Sequence, residues 1–82
     1  MKVWITKYAL TQGIYEIEAE RCVNVDENMV RDINTKGMLY HGEGKEWHIL
    51  KESAIKKAEK MKLDKISSLK KQIIKLENVK FE

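Results

Sequence analysis

From residue 45 to residue 82 the chain contains neither glycine nor proline. Nothing in that stretch breaks a helix, and its apolar residues recur with helical periodicity. Ile55, Ala58, Ile66, Leu69, Ile73 and Leu76 fall at three- and four-residue steps or their multiples, with Ala54, Met61 and Val79 on the flank. One long amphipathic helix is therefore expected over about residues 51–78. Its start is poorly marked. Leu50 stands where a Ser, Thr or Asp cap would be expected, and Ser53 is the nearest hydroxyl.

Length then constrains the rest of the fold. A helix of about 28 residues extends about 42 Å at 1.5 Å per residue. Strands of five to eight residues reach only about 17–27 Å. A sheet made from the remaining residues cannot cover such a helix unless the helix lies diagonally or bends. The expected division is an N-terminal half, about residues 51–61, that closes the sheet, and a C-terminal half whose apolar stripe outruns it.

The first fifty residues carry strand signals. Residues 2–10 are rich in β-branched and aromatic side chains (Val3, Trp4, Ile5, Thr6, Tyr8) and read as a strand. Thr11-Gln12-Gly13 reads as a turn. Residues 14–21 alternate, with Tyr15, Ile17 and Ala19 on one face and Glu16, Glu18 and Glu20 on the other. A period of two with an acidic outer side describes a half-buried antiparallel strand, and the two strands form a hairpin. Residues 22–28 read as loop, 29–33 as a short strand and 34–37 as a turn. Residues 38–41 and 46–49 read as strands flanking Gly42-Glu43-Gly44. The fold class expected is α+β, a single domain in which a small antiparallel β-meander over residues 2–49 precedes the helix.

Charge is divided unevenly. Residues 1–50 hold six basic and eight acidic side chains, whereas residues 51–80 hold ten lysines against four acids. The single cysteine, Cys22, excludes an internal disulfide and with it a bridged secreted scaffold. The opening Met1-Lys2-Val3-Trp4 has no signal-peptide character, and no apolar run approaches the roughly 20 residues that span a bilayer. A cytoplasmic location is expected.

Two faces of the helix are candidate binding surfaces. Ile66 and Ile73 at a positions with Leu69 and Leu76 at d positions match a two-stranded coiled coil, which makes a homodimer through this helix one reading. The pattern lasts two heptads, because Lys62 and Lys80 occupy core positions outward of it. In a parallel pair Lys65 would also face Lys70. A short antiparallel pairing or docking on the chain's own sheet is the simpler reading. The lysine face, Lys56, Lys57, Lys60, Lys71 and Lys75, could follow a phosphate backbone. Only two arginines occur, Arg21 and Arg31, and neither is on the helix, nor does an aromatic group interleave with the lysines. Any nucleic-acid contact from this face would be non-specific. A membrane-surface role is not expected, since the stripe lacks the Trp and Phe anchors of such helices.

Little in the sequence suggests catalysis. No phosphate loop, dinucleotide fingerprint or nucleophile elbow occurs. His41, Glu43, Glu46 and His48 gather around the glycine turn, but their spacing matches no usual zinc signature. A polar hairpin with Trp47 turned inward explains them more simply. Cys22 has no activating helix terminus and no committed His partner, and reads most simply as a small buried or half-buried residue. No enzyme activity, metal or cofactor is expected.

Two stretches carry a resemblance. Lys7-Tyr8-Ala9-Leu10-Thr11-Gln12-Gly13-Ile14 resembles the opening hairpin of a set of small bacteriophage and prophage proteins. Glu43-Gly44-Lys45-Glu46-Trp47-His48, followed by Ala54, Ala58-Glu59-Lys60-Met61 and the run from Lys65 through Ile73, is similar to their C-terminal half. Residues 22–38 fall outside the likeness, and Leu50 departs from the hydroxyl residue expected before the helix. The family brings no known activity and no functional residue with it. What the resemblance implies is a small accessory protein, in the host cytoplasm if phage-encoded, that binds a host protein or ribonucleoprotein. Inhibitors of CRISPR–Cas and other defence systems are the best-known proteins of this kind. Glu16, Glu18 and Glu20 could serve such a role by mimicking phosphates.

Overall fold

The computed structural model describes residues 1–22, 25, 27–35 and 37–81. Five strands and two helices follow one another: β1 (Lys2–Ile5), α1 (Ala9–Gln12), β2 (Tyr15–Arg21), β3 (Met29–Asp32), β4 (Leu39–His41), β5 (Trp47–His48) and α2 (Lys51–Glu77). The class is α+β, with a five-stranded antiparallel sheet preceding one long helix. Of the loop expected over residues 22–28, positions 23, 24 and 26 lie outside the described residues, as does position 36 of the turn expected over residues 34–37.

The order across the sheet is β4-β3-β2-β1-β5. β2 carries the alternation read from sequence: Ala19 is buried, Tyr15 and Ile17 are half-buried, and the three glutamates are exposed. It also serves as the pivot. Its first half pairs with β1, setting Trp4 opposite Glu16 and Ile5 opposite Tyr15. Its second half pairs with β3, setting Ala19 opposite Asp32 and Arg21 opposite Val30.

Two features differ from the meander expected. Strand β1 stops at Ile5, and residues 9–12 form a helical turn where the end of the strand, to Leu10, and the start of a turn were expected. Ala9, Leu10 and Gln12 are good helix formers, so local preference outweighs the β-branched character of the preceding residues. The Gly13 N–H closes the turn onto the Ala9 carbonyl at φ 77°, a conformation that suits glycine. The β1–β2 hairpin therefore stands, with a helical turn in its connection.

The second difference concerns β4 and β5. They do not pair with each other but occupy opposite edges of the sheet, with β5 beside β1. Residues 42–46 join them and are wound on themselves, since the Gly42 carbonyl accepts from the N–H groups of Lys45 and Glu46. So compact a link could not cross the roughly 19 Å width of a flat five-stranded sheet. The sheet is curled, and its edges approach. The His41 N–H donates to Glu46 Oε1 at 2.8 Å, and the Thr6 N–H donates to the Glu46 carbonyl at 3.0 Å.

The curl creates the core. Val3, Ile5, Ala19, Val30, Tyr40 and Trp47 form one buried cluster drawn from all five strands. Trp47 is wholly buried, as its sequence setting suggested, and its indole N–H donates to the Asn28 carbonyl at 2.8 Å. The hydroxyls of Tyr15 and Tyr40 lie 3.0 Å apart. Burial, and then this hydrogen bond, raise the Tyr40 phenol well above its usual range. Among the described residues no buried side-chain polar atom lacks a partner.

Helix α2 packs against the sheet at β1 and β5, and also touches α1. Leu50 occupies the N-cap position without a side-chain hydrogen bond, as its apolar character implied. The molecule measures 59 × 25 × 20 Å, and its radius of gyration is 17.1 Å against about 12 Å for a compact chain of this length. The excess length is the projecting helix.

Candidate functional site

Within α2 only Ala54 is fully buried; Lys57, Ala58 and Met61 are half-buried, and every later residue of the helix is exposed. Docking on the sheet therefore ends at Met61. The next sixteen residues, 62–77, carry the helix about 24 Å further.

The apolar stripe on that projection is not a continuation of the docked face. Successive residues turn by about 100° around the helix axis. Ala54, Lys57, Ala58 and Met61 share one line, which continues through Lys65, Ser68 and Gln72, all polar. The stripe of Ile66, Leu69, Ile73 and Leu76 is centred about a quarter turn away, with Ile66 and Ile73 farthest from the docked line and Leu76 at its border, in the direction of Ala58. Ile55 belongs to that second line too, and it is 44% exposed although it sits in the docked half. The stripe read from sequence first as core is therefore a separate face of the helix. Its four C-terminal members are 41–73% exposed, and Leu63 and Ile74 widen it. From Ile55 the positions step 59, 62, 66, 69, 73 and 76, a strict heptad seam whose gap is filled by Glu59 and Lys62. These two form an ion pair at 2.9 Å.

The lysine face is only partly as expected. Lys56, Lys60, Lys71 and Lys75 are exposed, but Lys57 is half-buried towards the sheet, close enough to His48 to bear on its ionisation. Neither arginine extends this face. Arg21 lies over the Trp47 ring, and Arg31 pairs with Glu20.

The acidic strand face is also engaged within the protein. Glu16 lies 3.9 Å from Lys2 Nζ, Glu18 lies 3.6 Å from the amino group of Met1, and Glu20 pairs with Arg31. All three side chains are surface groups, so these pairs add little stability. They do place a cation beside each carboxylate, which makes the row a poorer imitation of a phosphate backbone.

The glycine turn does not gather its histidines. His41 is exposed on β4, whereas His48 is buried on β5, at the other edge of the sheet. The Thr6 hydroxyl donates its one hydrogen to the Lys45 carbonyl at 2.9 Å, so it accepts from His48 Nε2 at 3.0 Å. That relay fixes the neutral imidazole with its hydrogen on Nε2. Burial chiefly, with Lys57 adding to it and Glu43 opposing, lowers the His48 pKa. The ring borders a groove of about 390 Å³ between the turn and the start of α2, lined also by Glu43, Gly44, Ile49, Leu50 and Ser53. Among the described residues no group of His, Cys, Asp and Glu is arranged to hold a metal ion.

No family model, curated protein or solved structure matches this chain. Its surface must therefore be read from its own geometry. The described residues contain no helix long and apolar enough to cross a membrane. Sequence reasoning placed Ile55 on one stripe with Ile66, Leu69, Ile73 and Leu76, but set Ala54 on the flank, where the structure buries Ala54 and leaves Ile55 exposed. The quarter-turn offset between Ala54 and Ile55 was the available signal, since the two neighbours head separate apolar lines.

Proposed function

We propose that this protein is a non-enzymatic accessory protein of the phage type that acts by binding a host macromolecule. The projecting half of α2 is its main contact surface. One observation carries the reading: a heptad seam of Ile66, Leu69, Ile73 and Leu76 stands exposed on a face the sheet does not use. Contiguous exposed apolar surface of this kind marks interaction sites in soluble proteins. An amphipathic helix presenting anchors at three- and four-residue steps is a recurrent recognition mode. Blocking a host defence protein or ribonucleoprotein is the form of action that fits the resemblance noted above.

Affinity capture from a host lysate tests the reading, with wild type beside a Leu69→Glu/Ile73→Glu variant and a Glu16→Ala/Glu18→Ala/Glu20→Ala variant. A partner enriched on wild type, lost on the seam variant and kept on the glutamate variant supports it. Equal capture by wild type and the seam variant refutes it. The lysine face supports a secondary electrostatic contact with nucleic acid. Such a contact would fade steeply as salt rises.

A further inference from the structure

The seam of α2 is poorly matched to a second copy of itself, and the mismatch is one of charge. In a parallel pair Lys65 of one copy meets Lys70 of the other. In an antiparallel pair, the alignment that buries all four apolar residues sets Ile66 against Leu76 and Leu69 against Ile73. Its two-fold axis then brings Lys70 against Lys70, and Lys62 lies level with Lys80. Either arrangement sets lysine beside lysine on a helix that already holds nine lysines against four acids. Like charges flanking a seam are a recognised device for rejecting self-pairing.

The same lysines specify what would fit. We propose that the seam docks against an amphipathic helix of another protein, one with Leu or Ile at three- and four-residue steps and Glu or Asp along both borders. This rests on the reading that the projecting half of α2 is the contact surface, and it adds the chemistry of the partner. The apolar anchors supply the attraction. Carboxylates opposite Lys62, Lys65 and Lys70 supply the selectivity, because Lys65 and Lys70 occupy the flanking g and e positions and Lys62 interrupts the seam at a d position. Lys62 is already shared with Glu59 at 2.9 Å, so Lys65 and Lys70 carry most of the preference. Exposed pairs of this kind together amount to about a tenfold preference at low salt. Two heptads of apolar contact favour a reversible complex over a permanent one.

Two labelled 21-residue helical probe peptides test this on the full-length protein. Both carry Ile and Leu at a and d; one carries Glu at every e and g position, the other Lys. Fluorescence anisotropy reads binding across a salt series, and sedimentation equilibrium reads self-association of the protein alone. The expected result is binding of the Glu peptide about tenfold or more tighter than the Lys peptide, with the gap narrowing as salt rises. The Leu69→Glu/Ile73→Glu variant should lose that binding while keeping the near-ultraviolet circular dichroism of the sheet. Equal binding of both peptides, no binding of the Glu peptide, or a stable dimer of the protein alone would overturn the proposal. If the Glu peptide fails yet the seam variant loses a partner captured by wild type, the acidic-helix proposal falls and the seam remains the contact surface. If the peptide fails and capture is unaffected by the seam variant, both fall.

Discussion

The two halves of α2 are built from similar residues yet have different relations to the protein. Over residues 51–61 the helix turns small or flexible side chains to the sheet: Ala54 is buried, and Lys57, Ala58 and Met61 are half-buried. Lys51 adds its ammonium group above the Trp4 ring at 5.3 Å. Over residues 62–77 every residue is exposed, Ile66, Leu69, Ile73 and Leu76 among them. A helix of about sixteen residues is near the length at which isolated helices are marginal in water. The docked half therefore anchors the projection, and the projection presents a face that costs the fold nothing to alter. Apolar content alone does not distinguish the halves; the angular position of the apolar residues does.

The largest contrast should come from placing the same charge in each half. Ala54→Asp buries an unpaired carboxylate between α2 and the sheet and should cost about 3–5 kcal/mol in urea unfolding. Ile73→Asp, in the free half, should change stability by only about 0.5 kcal/mol, mostly through helix propensity. A large loss from Ile73→Asp would mean that its face is packed after all.

A smaller effect is expected from acid. The folded-state pKa of His48 is lowered, so the folded protein binds fewer protons than the unfolded chain once pH falls below the ordinary histidine value of about 6.5. The stability that neutral His48 contributes is complete above that value and is lost as pH falls from there towards the lowered pKa. Thermal melts at pH 7.5 and 5.5 should show the loss for wild type and a flatter profile for His48→Gln. The seam variants should keep the wild-type profile, because the histidine lies under the docked half alone.

The extent and class of the helix were legible from sequence because periodicity and the lack of Gly and Pro act locally. So was the alternation of β2, where each glutamate points outward. The position of β5 was not legible. Its pairing with β1 depends on how far the sheet curls, and Gly42-Glu43-Gly44 looks the same whether the chain doubles back or crosses to the far edge. The helical turn at residues 9–12 was obscured for another reason: Val3, Trp4, Ile5, Thr6 and Tyr8 made the stretch to Leu10 resemble strand, which left only Thr11-Gln12-Gly13 as turn. The seam was visible as a stripe, but its independence from the docked face required knowing that Ala54 points inward.

The smallest effect expected is from deletion. Ending the chain after Lys62 removes the projection and should shift the unfolding free energy of the remainder by no more than about 0.5 kcal/mol, read from the near-ultraviolet signal of Trp4 and Trp47. A large destabilisation would show that residues 63–77 contribute to the fold.

Residue-resolved amide hydrogen exchange along α2, recorded on dilute protein without a partner, separates the two halves most directly. Amides around Ala54 and Ala58 should be protected nearly to the level of the sheet core, and those from Ile66 to Leu76 should exchange much faster, as in a helix that frays alone. Uniform protection through Leu76 would contradict the division of the helix, because it would mean that the protein already covers the seam.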